Sequence, residues 1–172
     1  MNSQLARLIR DVPDFPKEGI IFKDITTLLK NPQGLKDSVD MLVDAFRDVK
    51  PEVVAGIESR GFIFGSSIAY NLGIGFVPIR KPGKLPAETH SEEYELEYGT
   101  DTIEIHKDAI KEGQRVLLVD DLLATGGTAK AAIKLLEVTG GKVVGVGFVI
   151  ELKFLNGIEK LAGYNVKSLI EF

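Results

Sequence analysis

The chain has 172 residues, no cysteine and a formal net charge of −4. That length predicts one domain with a core large enough to need no disulfide or metal staple. The missing cysteine excludes a disulfide scaffold, a thiolate nucleophile and cysteine-ligated metal centres, and the acidic balance argues against a general nucleic-acid binder. No long apolar run follows a basic start, and the apolar stretch 143–150 is too short to span a bilayer. The expected setting is soluble and cytoplasmic.

Leu5, Leu8 and Ile9 share one helical face and predict a short helix over 2–10, stopped by Pro13 and Pro16. Residues 15–22 are expected to be irregular, with Ile20, Ile21 and Phe22 as a short extended apolar patch. Leu35, Val39, Leu42, Val43 and Phe46 recur at helical spacing, which predicts a helix over 34–49 that breaks at Pro51. The apolar run 53–57 predicts a buried parallel strand, 61–72 a helix apolar around much of its circumference, and 75–79 the next strand.

From Arg80 to about Glu93 the chain is polar and carries Pro82, Gly83 and Pro86. It is expected to be a lid or binding loop without regular structure. Residues 94–98 and 102–106 flank Gly99 and read as a hairpin or the two arms of a mobile loop. Further strands are predicted over 116–119, 143–150 and 166–170, with a helix over 127–138 and a short one over 156–161. The alternation predicts an α/β fold with a largely parallel central sheet flanked by helices, in one domain spanning 1–172.

The most informative segment runs from Val116 to Thr128. A buried strand is expected to end at Asp120, with Asp121 beside it, at the end of the sheet where open α/β folds place ligands. Ala124, Thr125, Gly126, Gly127 and Thr128 then enter a helix. Their amides, the two hydroxyls and the helix N-terminus suit one phosphate, while the carboxylates suit sugar hydroxyls. A bare turn with Thr128 as N-cap is the simpler reading of TGGT, but it leaves the Asp-Asp pair unexplained. The loop is neither a Walker A motif nor a dinucleotide fingerprint.

This segment resembles the phosphoribosyl pyrophosphate signature of type I phosphoribosyltransferases, which have a parallel-sheet core, a small hood and a flexible loop over the site. The resemblance implies that Ala124 to Thr128 hold the ribose 5-phosphate, with Asp120 and Asp121 near the ribose 2- and 3-hydroxyls. Residues 15–25, FPKEGIIFKDI, are similar to the hood of the adenine-specific branch. This implies that residues 1–33 contribute to a hood, that Phe22 stacks on adenine and that the backbone of Ile21 reads its edge. Glu58-Ser59-Arg60-Gly61 resembles the pyrophosphate loop, often opened by a non-proline cis peptide, although Glu58 stands where Asp is common. Arg80, Lys81 and Lys84 gather after a strand, and the resemblance implies that Arg80 and Lys84 help bind pyrophosphate, Lys84 across a dimer interface. LEYG at 96–99 implies Glu97 as the proton-transfer carboxylate, with Tyr98 beside it in the lid.

The function so implied is transfer of a phosphoribosyl group to adenine, giving AMP and pyrophosphate. Arg60, Asp120, Asp121 and Glu97 are its expected catalytic residues. Mg²⁺ is expected to be held by substrate oxygens and water, with no direct protein ligand. The helix from Phe62 to Leu72 is more apolar than one buried face requires, which suits a homodimer. A relative using hypoxanthine, guanine or xanthine would need a donor for a 6-oxo group, and the terminal stretch before Phe172 offers no fitting lysine. A nucleotide-sensing regulator would need a DNA-binding module, and the first fifty or so residues show no convincing helix-turn-helix. A purely structural protein would have no need of the phosphate constellation.

Overall fold

The computed structural model describes residues 3–95 and 99–172. Ser3–Ala6 form α1, and Arg10–Pro13 (β1) pair antiparallel with Ile21–Asp24 (β2). The helix expected over 2–10 thus stops at Ala6. Cross-strand pairing explains the difference: Arg10 lies opposite Asp24 and binds its carboxylate at 2.5 Å, and tertiary pairing outweighs a weak helical preference. The loop joining the two strands contains a cis Phe15–Pro16 peptide.

Thr26–Lys30 form α2, a helix too short to show as a sequence period. Asp24 starts it by accepting from Thr26 N at 2.9 Å and Thr26 Oγ1 at 2.8 Å. Asn31 then caps Pro32–Phe46 (α3) by accepting from Gly34 N at 2.8 Å, with Pro32 in the first turn. A 3₁₀ turn over Arg47–Val49 continues it, so the expected end at 49 holds with a change of helix type.

Val53–Ile57 (β3), Gly61–Leu72 (α4) and Gly75–Ile79 (β4) lie where the sequence places them. Thr89–Glu95 (β5) and Thr100–His106 (β6) form an antiparallel hairpin. Residues 89–93 are therefore strand rather than irregular loop. Their order comes from the ladder with β6 and from Glu92, which Lys134 Nζ binds at 2.5 Å, and neither is visible as local hydrophobicity.

Arg115–Leu123 (β7), Gly127–Val138 (α5), Lys142–Glu151 (β8), 3₁₀ turns at Lys153–Leu155 and Gly157–Leu161, and Val166–Glu171 (β9) complete the described chain. The strand expected to end at Asp120 runs on to Leu123. Here β8 keeps pairing after β3 has ended: Asp120 lies opposite Phe148 and Leu123 opposite Glu151.

The five core strands form a parallel sheet in the order β4-β3-β7-β8-β9. On one face, α3 and α4 pack Leu42, Phe46 and Phe64 against Leu117. On the other, α5 and the hairpin pack Leu136, Ile103 and Ile105 against Leu118. From β3 the chain crosses outward to β4, and from β7 it crosses the opposite way to β8. A crevice opens beyond the carboxyl ends of such a divergent pair. No helix among the described residues is long and apolar enough to cross a membrane.

Candidate active site

The crevice walls follow directly from the ends of β3 and β7. After Ile57 the chain turns through a cis Glu58–Ser59 peptide into α4. That turn rests on β7, since a Cβ on Gly61 would lie 2.8 Å from Asp120 Oδ1. Beyond Leu123, the loop into α5 passes Gly126, whose φ of 78° suits glycine. Between the two loops lies a cavity of about 370 Å³, lined by Glu58, Ser59, Arg60, Asp120, Asp121, Ala124, Thr125, Gly126 and Thr128.

The first N–H groups of an α-helix have no intrahelical acceptor. Among the described residues, no backbone carbonyl accepts from the amides of residues 125–129. Those amides and the helix N-terminus make a cradle for an anion of the phosphate class. The two glycines let other backbone come close. A Cβ on Gly126 would lie 2.3 Å from Gly157 O, and one on Gly127 would lie 2.8 Å from Glu95 O.

Charge in the cavity is unevenly paired. Arg60 Nε binds Asp121 Oδ2 at 2.5 Å; Asp121 is buried and Arg60 is 45% exposed. Burial works against the Arg60 charge, but the Asp121 carboxylate outweighs it and raises the guanidinium pKa above its ordinary value. Asp120 retains some exposed surface yet is enclosed by protein. Loss of water pushes its pKa well above the usual carboxylate range, and the neighbouring Asp121 charge adds to the rise. A 2.8 Å bond from Asp121 N to Asp120 Oδ1 opposes the shift without cancelling it.

Some expected residues lie away from this wall. Arg80 is not among the residues lining the cavity; Glu58 binds it, and its Nη1 donates to Lys84 O at 3.2 Å, while Lys84 itself is exposed. Lys81, the third cation of that group, faces the cavity instead. It is bonded to Asp101, whose carboxylate also lies 3.4 Å from Tyr94 Oη. Nothing local marked Asp101 or Tyr94, which sit among alternating acids and reach the cavity only through hairpin pairing. Ile21 and Phe22 lie on the β1–β2 ribbon, outside the cavity lining. Ile21 is 57% exposed, and Phe22 packs edge-on against Phe15 with ring centroids 5.3 Å apart. Glu97 and Tyr98 lie outside the described residues. Among the described residues, no group of three or more His, Asp or Glu side chains is arranged to hold a metal ion.

The sheet order sets a crevice at the ends of β3 and β7, and the model of the phosphoribosyl transferase domain family matches residues 24–167. The adenine phosphoribosyltransferase of Solibacter usitatus is 61% identical over 168 residues, covering 98% of this chain and 97% of its own. The crystal structure of adenine phosphoribosyltransferase from Thermoanaerobacter pseudethanolicus superposes with a TM-score of 0.95 at 58% identity, covering 98% of each chain. The Saccharomyces cerevisiae enzyme, crystallised with an imino-altritol bisphosphate and adenine, superposes with a TM-score of 0.90 at 44% identity over 96% of each chain. The chain belongs to the adenine phosphoribosyltransferase family. It is an enzyme with the type I phosphoribosyltransferase fold that its sequence leads one to expect.

Proposed function

We propose that the chain transfers the 5-phosphoribosyl group of phosphoribosyl pyrophosphate to adenine, releasing AMP and pyrophosphate, with the cavity serving the sugar and the hood the base. The observation that carries this reading is the open amide cradle at the mouth of α5 beside Asp120 and Asp121.

Ala124, Thr125, Gly126, Gly127 and Thr128 hold the 5-phosphate. Asp120 and Asp121 accept from the ribose hydroxyls and supply negative field to the positive charge that develops at C1 as the pyrophosphate bond lengthens. The Asp120 environment supports this assignment: a carboxyl that is costly to ionise alone gains most from hydroxyl donors. Arg60, Arg80 and Lys84 neutralise the departing pyrophosphate, with Glu58 and Ser59 shaping its loop. Phe22 stacks on adenine, worth ~1–3 kcal/mol without discriminating among bases, so the backbone of Ile21 supplies the discrimination. Glu97, with Tyr98 beside it, moves the proton on the adenine ring under a closed lid that excludes water.

Mg²⁺ fits the donors present. The crevice offers only hard oxygen ligands, and Asp121 is already engaged by Arg60. The ion is then held chiefly by substrate phosphate oxygens and water. When bound, it neutralises pyrophosphate charge.

Residues 1–33 contribute to the hood of a single domain spanning 1–172. A homodimer covers α4, where Tyr70 is 90% and Ile63 38% exposed beside a groove between α3 and α4. Absence of cysteine suits the reducing cytoplasm.

The test is AMP formation from adenine and phosphoribosyl pyrophosphate with magnesium, run beside hypoxanthine, guanine and xanthine. Turnover with adenine alone is expected. Preferential use of a 6-oxopurine would overturn the base assignment, and no transfer to any purine would overturn the reaction.

A further inference from the structure

The 3₁₀ turn Gly157–Leu161 packs against the loop that enters α5, and Gly157 is not among the residues lining the cavity. That residue meets the cradle backbone to backbone. A Cβ placed on Gly157 would lie 2.0 Å from Ala124 O, 2.8 Å from Gly126 N and 2.9 Å from Ala124 C. The contact is reciprocal, since a Cβ on Gly126 would fall 2.3 Å from Gly157 O. Distances under 3 Å to backbone atoms cannot be relieved by turning a side chain. One of the two segments must move. Gly157 is not among the positive-φ glycines, so an alanine there meets a steric obstacle and no conformational one.

The turn is the less yielding partner. Its approach is fixed to the end of β7 by Leu152 N donating to Leu123 O at 2.9 Å. Its far end is fixed by Leu161, which is 1% exposed and belongs to the same buried cluster as Leu123 and Ala129. Ala124 and Thr125, by contrast, face the cavity and are only half-buried.

We infer that Gly157 is a positioning residue for the enzyme's sugar-phosphate site: its bare backbone is the backstop that sets where the Ala124–Gly126 segment presents its amides. This rests on the reading of that segment as the 5-phosphate cradle. Gly157 is not among the residues that line the cavity. It acts through Ala124 and Gly126, so any side chain at 157 displaces the cradle and spoils its fit to phosphate. An ångström-scale displacement of a positioning group is enough to cost roughly tenfold to a hundredfold.

Gly157→Ala tests this by steady-state kinetics with each substrate varied in turn, alongside Thr128→Val and a thermal melt of each variant. The expected result is a roughly tenfold or larger rise in KM for phosphoribosyl pyrophosphate, an unchanged KM for adenine, and weaker binding of ribose 5-phosphate alone. Unchanged phosphate-substrate KM in a folded Gly157→Ala protein, while Thr128→Val raises it, overturns the inference and leaves the cradle standing. If Thr128→Val also leaves that KM unchanged, the cradle reading itself fails. A rise of both KM values together, with a lowered Tm, marks a merely structural role and also overturns the inference. Should Gly157→Ala not fold, Leu161→Val loosens the same turn without adding an atom. It is expected to raise only the phosphate-substrate KM, and equal values in that variant overturn the proposal.

Discussion

Glu58 grips Arg80 with both carboxylate oxygens, 3.1 Å from Nε and 3.1 Å from Nη2, and accepts from Lys81 N at 3.0 Å. The Arg80 bond leads in holding the Glu58 pKa below its ordinary value, against the opposing effect of burial. Glutamate reaches the guanidinium as a fork, which fixes Arg80 in angle as well as distance. Glu58→Gln keeps the size but gives up the charge and one acceptor. The expected result is a rise of about tenfold in KM for phosphoribosyl pyrophosphate, with little change in KM for adenine. The sign with pH follows from the lowered pKa: the pair's contribution to stability is present above the ordinary carboxylate range and lost as pH falls through the lower folded value. Kinetics with pyrophosphate in the reverse direction check the same loss, and an unaltered affinity there would count against the positioning of Arg80.

Asp120 titrates in the opposite sense. Its folded pKa lies well above the ordinary carboxylate value because burial and Asp121 disfavour its charge. Its contribution to stability is therefore fully present below the ordinary carboxylate pKa and is lost as pH rises through the folded one. Asp120→Asn removes that loss. The variant is expected to melt above the parent at pH 8, with the gap closing toward pH 4, while kcat/KM falls. Thermal melts across that range check it, and a variant less stable than the parent at pH 8 would contradict the assigned cause.

Asp24 joins the ribbon to the core. Bonds from Thr26 N, and then from Arg10, lower its pKa to about 2. Stability from this carboxylate is present above the ordinary value of 3.8 and disappears as pH falls through about 2. Arg10 is 58% exposed, so the ion pair adds little and the helix-start bond carries most of the effect. Asp24→Ala, which removes the acceptor at the helix start, is expected to cost about 1 kcal/mol near neutral pH and to raise KM for adenine more than KM for the sugar substrate. Equal KM values for both substrates would separate the ribbon from the base site.

Gly127 ties the cradle to the hairpin, since an added Cβ would lie 2.8 Å from Glu95 O. Gly127→Ala should displace β5 just before Glu97. The expected signature is a fall in kcat alongside weaker phosphate binding. Glu97→Gln should lower kcat more than it alters either KM, and equal turnover in that variant would refute the proton-transfer role. Single-turnover AMP formation distinguishes the two variants.

Much of this was readable from the chain because it is local. β3, α4, β4 and α5 follow from apolar runs and helical spacing within a few residues. The cradle is consecutive backbone, so the Asp-Asp pair and the small residues after it are visible together. Contacts across the fold were not. Arg60 and Asp121 are 61 residues apart, and Lys81 meets Asp101 only because β5 and β6 pair. The strand through Asp120 outran its apolar run because β8 continued to supply a partner. Gly157 carried no chemical signal at all, and its place against the cradle is a matter of backbone approach.

A crystal structure with ribose 5-phosphate or phosphoribosyl pyrophosphate bound tests the central claim most directly. The terminal phosphate is predicted to lie within hydrogen-bonding distance of the amides of residues 125–128, with the Asp120 and Asp121 carboxylates at the ribose hydroxyls. A sugar phosphate bound away from the mouth of α5, with those amides facing only water, would contradict it.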